Sequence, residues 1–170
     1  MIISEETKSA TADRQLFIKM VVSNWELQNQ RFNGLIDNLS DEQMLLPVAA
    51  GKNRAVYLLG HMIAVNDGII PLLGLGERLF PDLETPFVKN PDDITAQIPS
   101  VAELRGNWVE LNKTLTAYFN EMSADEWFTK HSAISEENFA KEPHRNKLNI
   151  LINRTNHEAY HLGQLIFLKP

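Results

Sequence analysis

Asn156-His157-Glu158-Ala159-Tyr160-His161-Leu162-Gly163-Gln164 sets two histidines four residues apart in a stretch without proline. Four residues of α-helix turn through about 400° and rise about 6 Å, so His157 and His161 share one face, one turn apart. Two neutral imidazoles so placed can reach one divalent metal ion. Three protein ligands plus an open position for water or substrate is the usual catalytic arrangement for zinc. A third ligand must come from another helix.

Among the five histidines, His61 is the best third ligand. It lies between Gly60 and Met62 in an otherwise apolar stretch, where an imidazole without a polar partner would be costly. The neighbouring glycine allows another helix or a ligand to come close. His131 falls in a polar loop, and His144 in the exposed first turn of the last predicted helix.

Working outward from the histidines, four long segments carry a helical period. The first covers roughly Ala10 to Leu39, with Leu16, Met20, Leu27, Phe32, Leu35, Ile36 and Leu39 recurring at three- and four-residue intervals. Ser40, followed by Glu42 and Gln43, predicts a cap and a short helical turn. The second helix covers roughly Asn53 to Ile70, with Val56, Leu59, Met62, Ile63, Ile69 and Ile70 on its buried side. Gly68 and Pro71 mark its far end.

From Gly74 to Pro99, prolines and aspartates predict a long irregular connection. Ser100 and Glu103 then form a capping-box pair opening the third helix, which continues through Leu104, Trp108, Leu111, Leu115, Tyr118 and Phe119. Ser123-Ala124-Asp125-Glu126 predicts a second capped short turn. A polar stretch covers Lys130 to Glu142, and Pro143 is placed as the first residue of a fourth helix reaching Leu168. No segment alternates with period two for long enough to make a strand. The pattern predicts an all-α four-helix bundle, a single domain over residues 1–170.

Composition narrows the function. The chain is 44% hydrophobic and 22% charged, values that fit a globular protein rather than a disordered one. There is no cysteine, which excludes disulfides, thiolate metal sites and cysteine nucleophiles, and suits a reducing cytoplasm. The start, Met1-Ile2-Ile3-Ser4-Glu5-Glu6, lacks the basic leader of a signal peptide. His61, Asn66, Asp67 and Pro71 interrupt the longest apolar region, Ala55 to Leu75, so no membrane span is expected. A net charge of −6 with scattered Lys and Arg argues against a nucleic-acid partner.

His157-Glu158-Ala159-Tyr160-His161 also matches the H-E-x-x-H pattern of zinc peptidases. Only nine residues follow His161, and none is His, Asp or Glu, so that arrangement has no downstream ligand.

Two motifs, Leu59-Gly60-His61-Met62-Ile63-Ala64 and the His-Glu-x-x-His-x-Gly-Gln run ending at Gln164, make the chain similar to the DinB/YfiT-like superfamily of metal-binding four-helix bundles. The likeness extends over essentially the whole length. It implies an up-down-down-up bundle with a long crossover between the second and third helices. It further implies that His61, His157 and His161 hold nickel, zinc or a similar ion in an open pocket at one end of the bundle, and that the protein forms a homodimer. Activities in that family include bacillithiol S-transfer, mycothiol-dependent maleylpyruvate isomerisation and metal-dependent hydrolysis.

An open-coordinated metal can lower the pKa of bound water toward ~7 or hold a thiol as thiolate. The leading expectation is therefore a metal-dependent enzyme acting on a small molecule, with a low-molecular-weight thiol or water as nucleophile. The alternatives are a non-catalytic metal-binding or stress-response protein, and a metal-free helical interaction domain. Glu158, rotated about 100° from His157, is a candidate base, an orienting carboxylate or a salt-bridging residue. Gln164, one turn beyond His161, is a candidate to hydrogen-bond a ligand or a facing helix. Tyr57, one turn before His61, is a candidate for the pocket mouth. Trp25, Asn66 and Asp67 are further candidates for the pocket. Trp108, Phe119 and Trp127 read as packing residues.

Overall fold

The computed structural model describes residues 5–169 and is all-helical there, with two isolated β-bridges and no strand among the described residues. The reading of Met1 to Ser4 lies outside the described residues. Helix α1 covers Glu5–Ile36, α2 Asp41–Met44, α3 Ala55–Asp67, α4 Ile69–Leu73, α5 Val101–Glu121, α6 Ala124–Trp127, α7 Glu136–Lys141 and α8 Lys147–Leu165. Buried apolar residues from α1, α3, α5 and α8 form one core. Within it α1 packs on α8, while α3 packs on both α5 and α8.

The stripe of α1 that enters the core is Trp25, Asn29, Phe32 and Ile36, at intervals of four, three and four residues. Leu16, Met20 and Leu27, expected on the apolar side, are instead exposed. Leu27 lies two residues from Trp25, which puts it on the opposite side of the helix. This helix therefore has two apolar faces: the pattern follows the outer one at Leu16, Met20 and Leu27 and the inner one at Phe32, Leu35 and Ile36. α5 behaves as its pattern predicts: Leu104, Trp108, Leu111, Leu115 and Phe119 are all buried. The Trp108 indole N–H donates to Asn33 of α1 at 2.5 Å.

Local chemistry sets the helix ends. Ser40 with Gln43 and Ser100 with Glu103 make reciprocal capping boxes, satisfying amides that the first turn leaves open. Ser123 and Ser135 each accept one backbone N–H in the same way. The expected start of the last helix is corrected. Pro143 lies outside it, and Asn146 is the N-cap, its side chain accepting the Asn149 N–H at 3.0 Å. Asn is the stronger cap, and Asn146 is itself extended and bridged to Lys130 while Pro143 and His144 form a turn before it. His144 consequently belongs to the preceding loop.

The crossover between α4 and α5 is more regular than its prolines suggest. It contains a 3₁₀ turn, Pro81–Leu83, and a π turn, Thr85–Lys89, both packed on α3. Several contacts fasten it, three of them near its two ends and at its middle. The Asp67 carboxylate accepts the backbone N–H groups of Leu79 and Phe80 at 2.8 and 3.0 Å. Asp92 accepts the Arg54 backbone N–H at 2.7 Å and pairs with the Arg54 guanidinium, so it caps α3, whose N-cap residue makes no side-chain cap of its own. Phe87, fully buried, lies against Gly60.

The continuous stretch Ala55–Leu73 does reach the length and mean hydropathy (1.5) of a membrane span, correcting the expectation that it falls short. It is 72% buried, so its apolar surface faces this core.

A Cβ at Gly60 would overlap the Phe87 ring, which has no open space to move into. Gly60→Ala is therefore expected to destabilise the fold by about 1–3 kcal/mol. That overpacking outweighs the ~1 kcal/mol that alanine gains in helix propensity. Denaturant unfolding checks this; a variant as stable as the parent contradicts the close contact.

Candidate metal centre

His61 projects from the middle of α3, and His157 and His161 from successive turns of α8. Their Nε2 atoms converge: His157 lies 3.0 Å from His161 and 3.4 Å from His61. One nitrogen from each ring lies within 4.8 Å of the others, so the three can hold a metal ion. Nitrogens bound to one tetrahedral ion at ~2.05 Å would be about 3.3 Å apart, close to this spacing.

Hydrogen bonds on the far side of two rings fix which nitrogen faces inward. His61 Nδ1 is 2.7 Å from the Phe87 carbonyl oxygen, which can only accept, so the proton sits on Nδ1. His161 Nδ1 is 2.8 Å from Gln164 Oε1 and donates in the same sense. Both inward Nε2 atoms then present lone pairs. His157 Nε2 faces the two of them, and a single proton there can satisfy only one. A cation satisfies all three, and outer hydrogen bonds of this kind are what orient metal-bound histidines. Protonation is a poor substitute: burial first, then His161, His61 and Arg154, push His157 down to about 4. Burial lowers His161 too. The residues present thus fit a divalent ion.

The other expected residues divide. Gln164 supports His161 and so contributes one step out from the converging nitrogens. Tyr57 stacks on His61 with planes 11° apart and ring centroids 6.4 Å apart, and its hydroxyl donates to the Asn90 carbonyl at 2.7 Å. It lines a cavity of about 610 Å³ between the start of α3 and the crossover. Glu158 is not among the converging ligand atoms. It is fully buried, neither carboxylate oxygen has a hydrogen-bond partner, and burial raises it to about 8. Trp25 is a core residue, edge-on to Phe119. Asp67 holds the crossover, and Asn66 is enclosed with its amide unpartnered.

His131 lies in the loop after α6, as expected, where it is buried and its Nδ1 accepts the Ala133 N–H at 3.2 Å, apart from the triad. Sequence reasoning missed three neighbours. The Phe87 carbonyl is backbone and carries no residue signal. Tyr160, exposed and edge-on to His161, and Arg154, three residues before His157, both had helical spacing as a signal.

Glu158 gives the metal-free protein a defined pH dependence. It stays protonated in the fold up to about pH 8 but ionises near 4.5 when exposed, so folding takes up a proton in that window. Stability therefore falls as pH rises toward 8. His157, neutral in the fold down to about 4, opposes this only below 6.5. Between pH 6.5 and 8 the metal-free protein should lose about 2 kcal/mol of unfolding free energy, and Glu158→Gln should flatten that slope. Denaturant titrations across this range check it; the same slope in both proteins contradicts the burial of an unpaired carboxyl.

No curated protein matches the chain at a significant level. Residues 24–165, which include all three converging histidines, match the sequence profile of the DinB superfamily. The chain belongs to the DinB superfamily.

Proposed function

We propose that this protein is a divalent-metal-dependent enzyme acting on a small molecule, built as a single four-helix bundle with α1, α3, α5 and α8 in up-down-down-up order. The observation that carries the reading is the convergence of three Nε2 atoms, two of them held inward as lone pairs by Phe87 and Gln164. Nickel or zinc suits three imidazoles. When bound, the ion would supply Lewis acidity, bringing a thiol or a water toward ionisation at neutral pH.

The chain's own residues supply position and enclosure. The Phe87 and Gln164 contacts hold two rings in the tautomer that offers Nε2. Tyr57 packs flat against the His61 ring, and Tyr160 stands at the exposed side of His161. With no cysteine in the chain, a thiol nucleophile would come from a low-molecular-weight cosubstrate. Glu158, next to His157 in the chain but with neither oxygen hydrogen-bonded, makes no contact that would orient a ring or reach the three Nε2 atoms. A metal-binding protein without turnover is the second reading, favoured by the unpartnered Glu158, which leaves no base beside the converging nitrogens. A cytoplasmic location accompanies the proposal, as the lack of cysteine leads one to expect.

His157→Ala and His161→Ala should each lose stoichiometric metal while keeping helical content and cooperative unfolding, because the core is apolar. Elemental analysis of protein made without a histidine tag, beside circular dichroism, checks this; metal content equal to the parent's in both variants rejects the site. Turnover with thiol cosubstrates, absent in His161→Ala, separates the enzyme from the non-catalytic reading.

The outer stripe of α1, with Leu16, Met20 and Leu27 exposed by 59, 61 and 42%, supports a homodimer that covers it. Met20→Asp is then expected to halve the mass seen by light scattering; a monomeric parent protein contradicts the dimer.

A further inference from the structure

The geometry points to an oxyanion subsite beside the three histidines, in which Arg154 and Arg78 grip a carboxylate or phosphate group of the small molecule. The inference deepens the proposed function and rests on that reading for the reacting end of the substrate.

A cavity of about 400 Å³ lies about one helical turn from the triad, lined by Ala64, Val65, Arg78, Glu84, Val88 and Arg154 among others. Its walls are the triad's own neighbours on three elements. Val65 is one turn beyond His61 on α3, Arg154 is three residues before His157 on α8, and Val88 follows the residue whose carbonyl holds His61. A molecule held between the two guanidinium groups would therefore lie about one helical turn from the three histidines.

The charges in the cavity are unbalanced. Arg154 makes no ion pair among the described residues, and its Nε is sealed from solvent with no hydrogen-bond partner. Glu158, one turn further along α8, does not pair with it, since both Glu158 oxygens are also unpartnered. Arg78 donates to the Ala64 carbonyl at 3.2 Å but stands 3.8 Å from Glu84, which Lys89 shares at 3.5 Å. Two cations, Arg78 and Lys89, thus share one carboxylate while Arg154 has none among the described residues, in a chain whose net charge is −6. Gly68 lets the Arg78 guanidinium come in close: a Cβ there would meet it at 3.2 Å.

An arginine does not shed its proton to escape such a place. Burial, and then the like charge of Arg78, depress Arg154 below its ordinary value. A partly enclosed guanidinium with unused donors is costly until an anion arrives, and its planar fork matches a carboxylate or phosphate.

The test uses cobalt(II)-loaded protein, whose thiolate charge-transfer absorption reports thiol binding. Two thiols of similar size are compared, 3-mercaptopropionate and neutral 2-mercaptoethanol, in the parent, Arg154→Gln and Arg78→Gln, with thermal unfolding and cobalt content measured for each. The parent should bind the carboxylate thiol about tenfold more tightly. Either substitution should erase that preference while leaving cobalt content and 2-mercaptoethanol affinity unchanged. No preference in the parent, or a preference that survives in both variants, overturns the subsite.

Failure of the metal reading shows separately, as no cobalt uptake. In that event calorimetric titration of the metal-free protein with propionate and with inorganic phosphate decides. Saturable binding of either, lost in Arg154→Gln, supports the subsite, and the tighter of the two names the anion. Binding of neither overturns it.

Discussion

His157 Nε2 lies within hydrogen-bond distance of the lone pairs of both His61 and His161, and one proton there satisfies only one of them. A cation is what holds all three nitrogens together, and the rest of this structure serves to keep them there. Each ring is held differently. His61 is fixed by a backbone carbonyl of the crossover, His161 by a glutamine on its own helix, and His157 by the helix spacing that places it beside His161. Remove any one support and the neutral imidazoles can turn away from each other, which disperses the site.

This requirement explains why the crossover is fastened so heavily to α3. Asp67, Asp92 and Phe87 are spread along that helix and its connection, and each removes freedom from the segment that delivers the Phe87 carbonyl. Gly60 is part of the same device, since only a residue without a Cβ lets the Phe87 ring lie on α3 at that level. The long connection, which by composition alone resembles a loose tether, is a rigid arm that orients one ring. Burial of the carboxyl of Glu158 and the amide of Asn66 without partners shows that the core around the site tolerates unmet polar groups. Such groups carry a cost, and active regions are where proteins usually bear it.

Much of the frame was legible in the sequence because it is local. Ser40, Ser100 and Ser123 announce helix starts through contacts three residues long, and the His157–His161 pair follows from helical pitch alone. The parts that were not legible depend on tertiary contact. The periodicity at the start of the chain rightly selected Phe32, Leu35, Ile36 and Leu39 but wrongly added Leu16, Met20 and Leu27, because hydrophobicity does not say which of two apolar faces meets the core. Pro143 satisfied a statistical rule for helix starts, but Asn146 three residues later offers a side-chain oxygen to an orphan amide and sets the boundary. The support of His61 was invisible because any residue at position 87 has a carbonyl. Gln164 was visible only as a residue on the right face, without its partner.

The account rests on a first coordination shell of three histidines. X-ray absorption spectroscopy of the nickel- or zinc-loaded protein at the metal edge reads that shell directly. Three imidazole nitrogens at about 2.0–2.1 Å, with one or two oxygens completing the shell, are the result expected. A shell built mainly of oxygen, or one with fewer than three imidazoles, would contradict it.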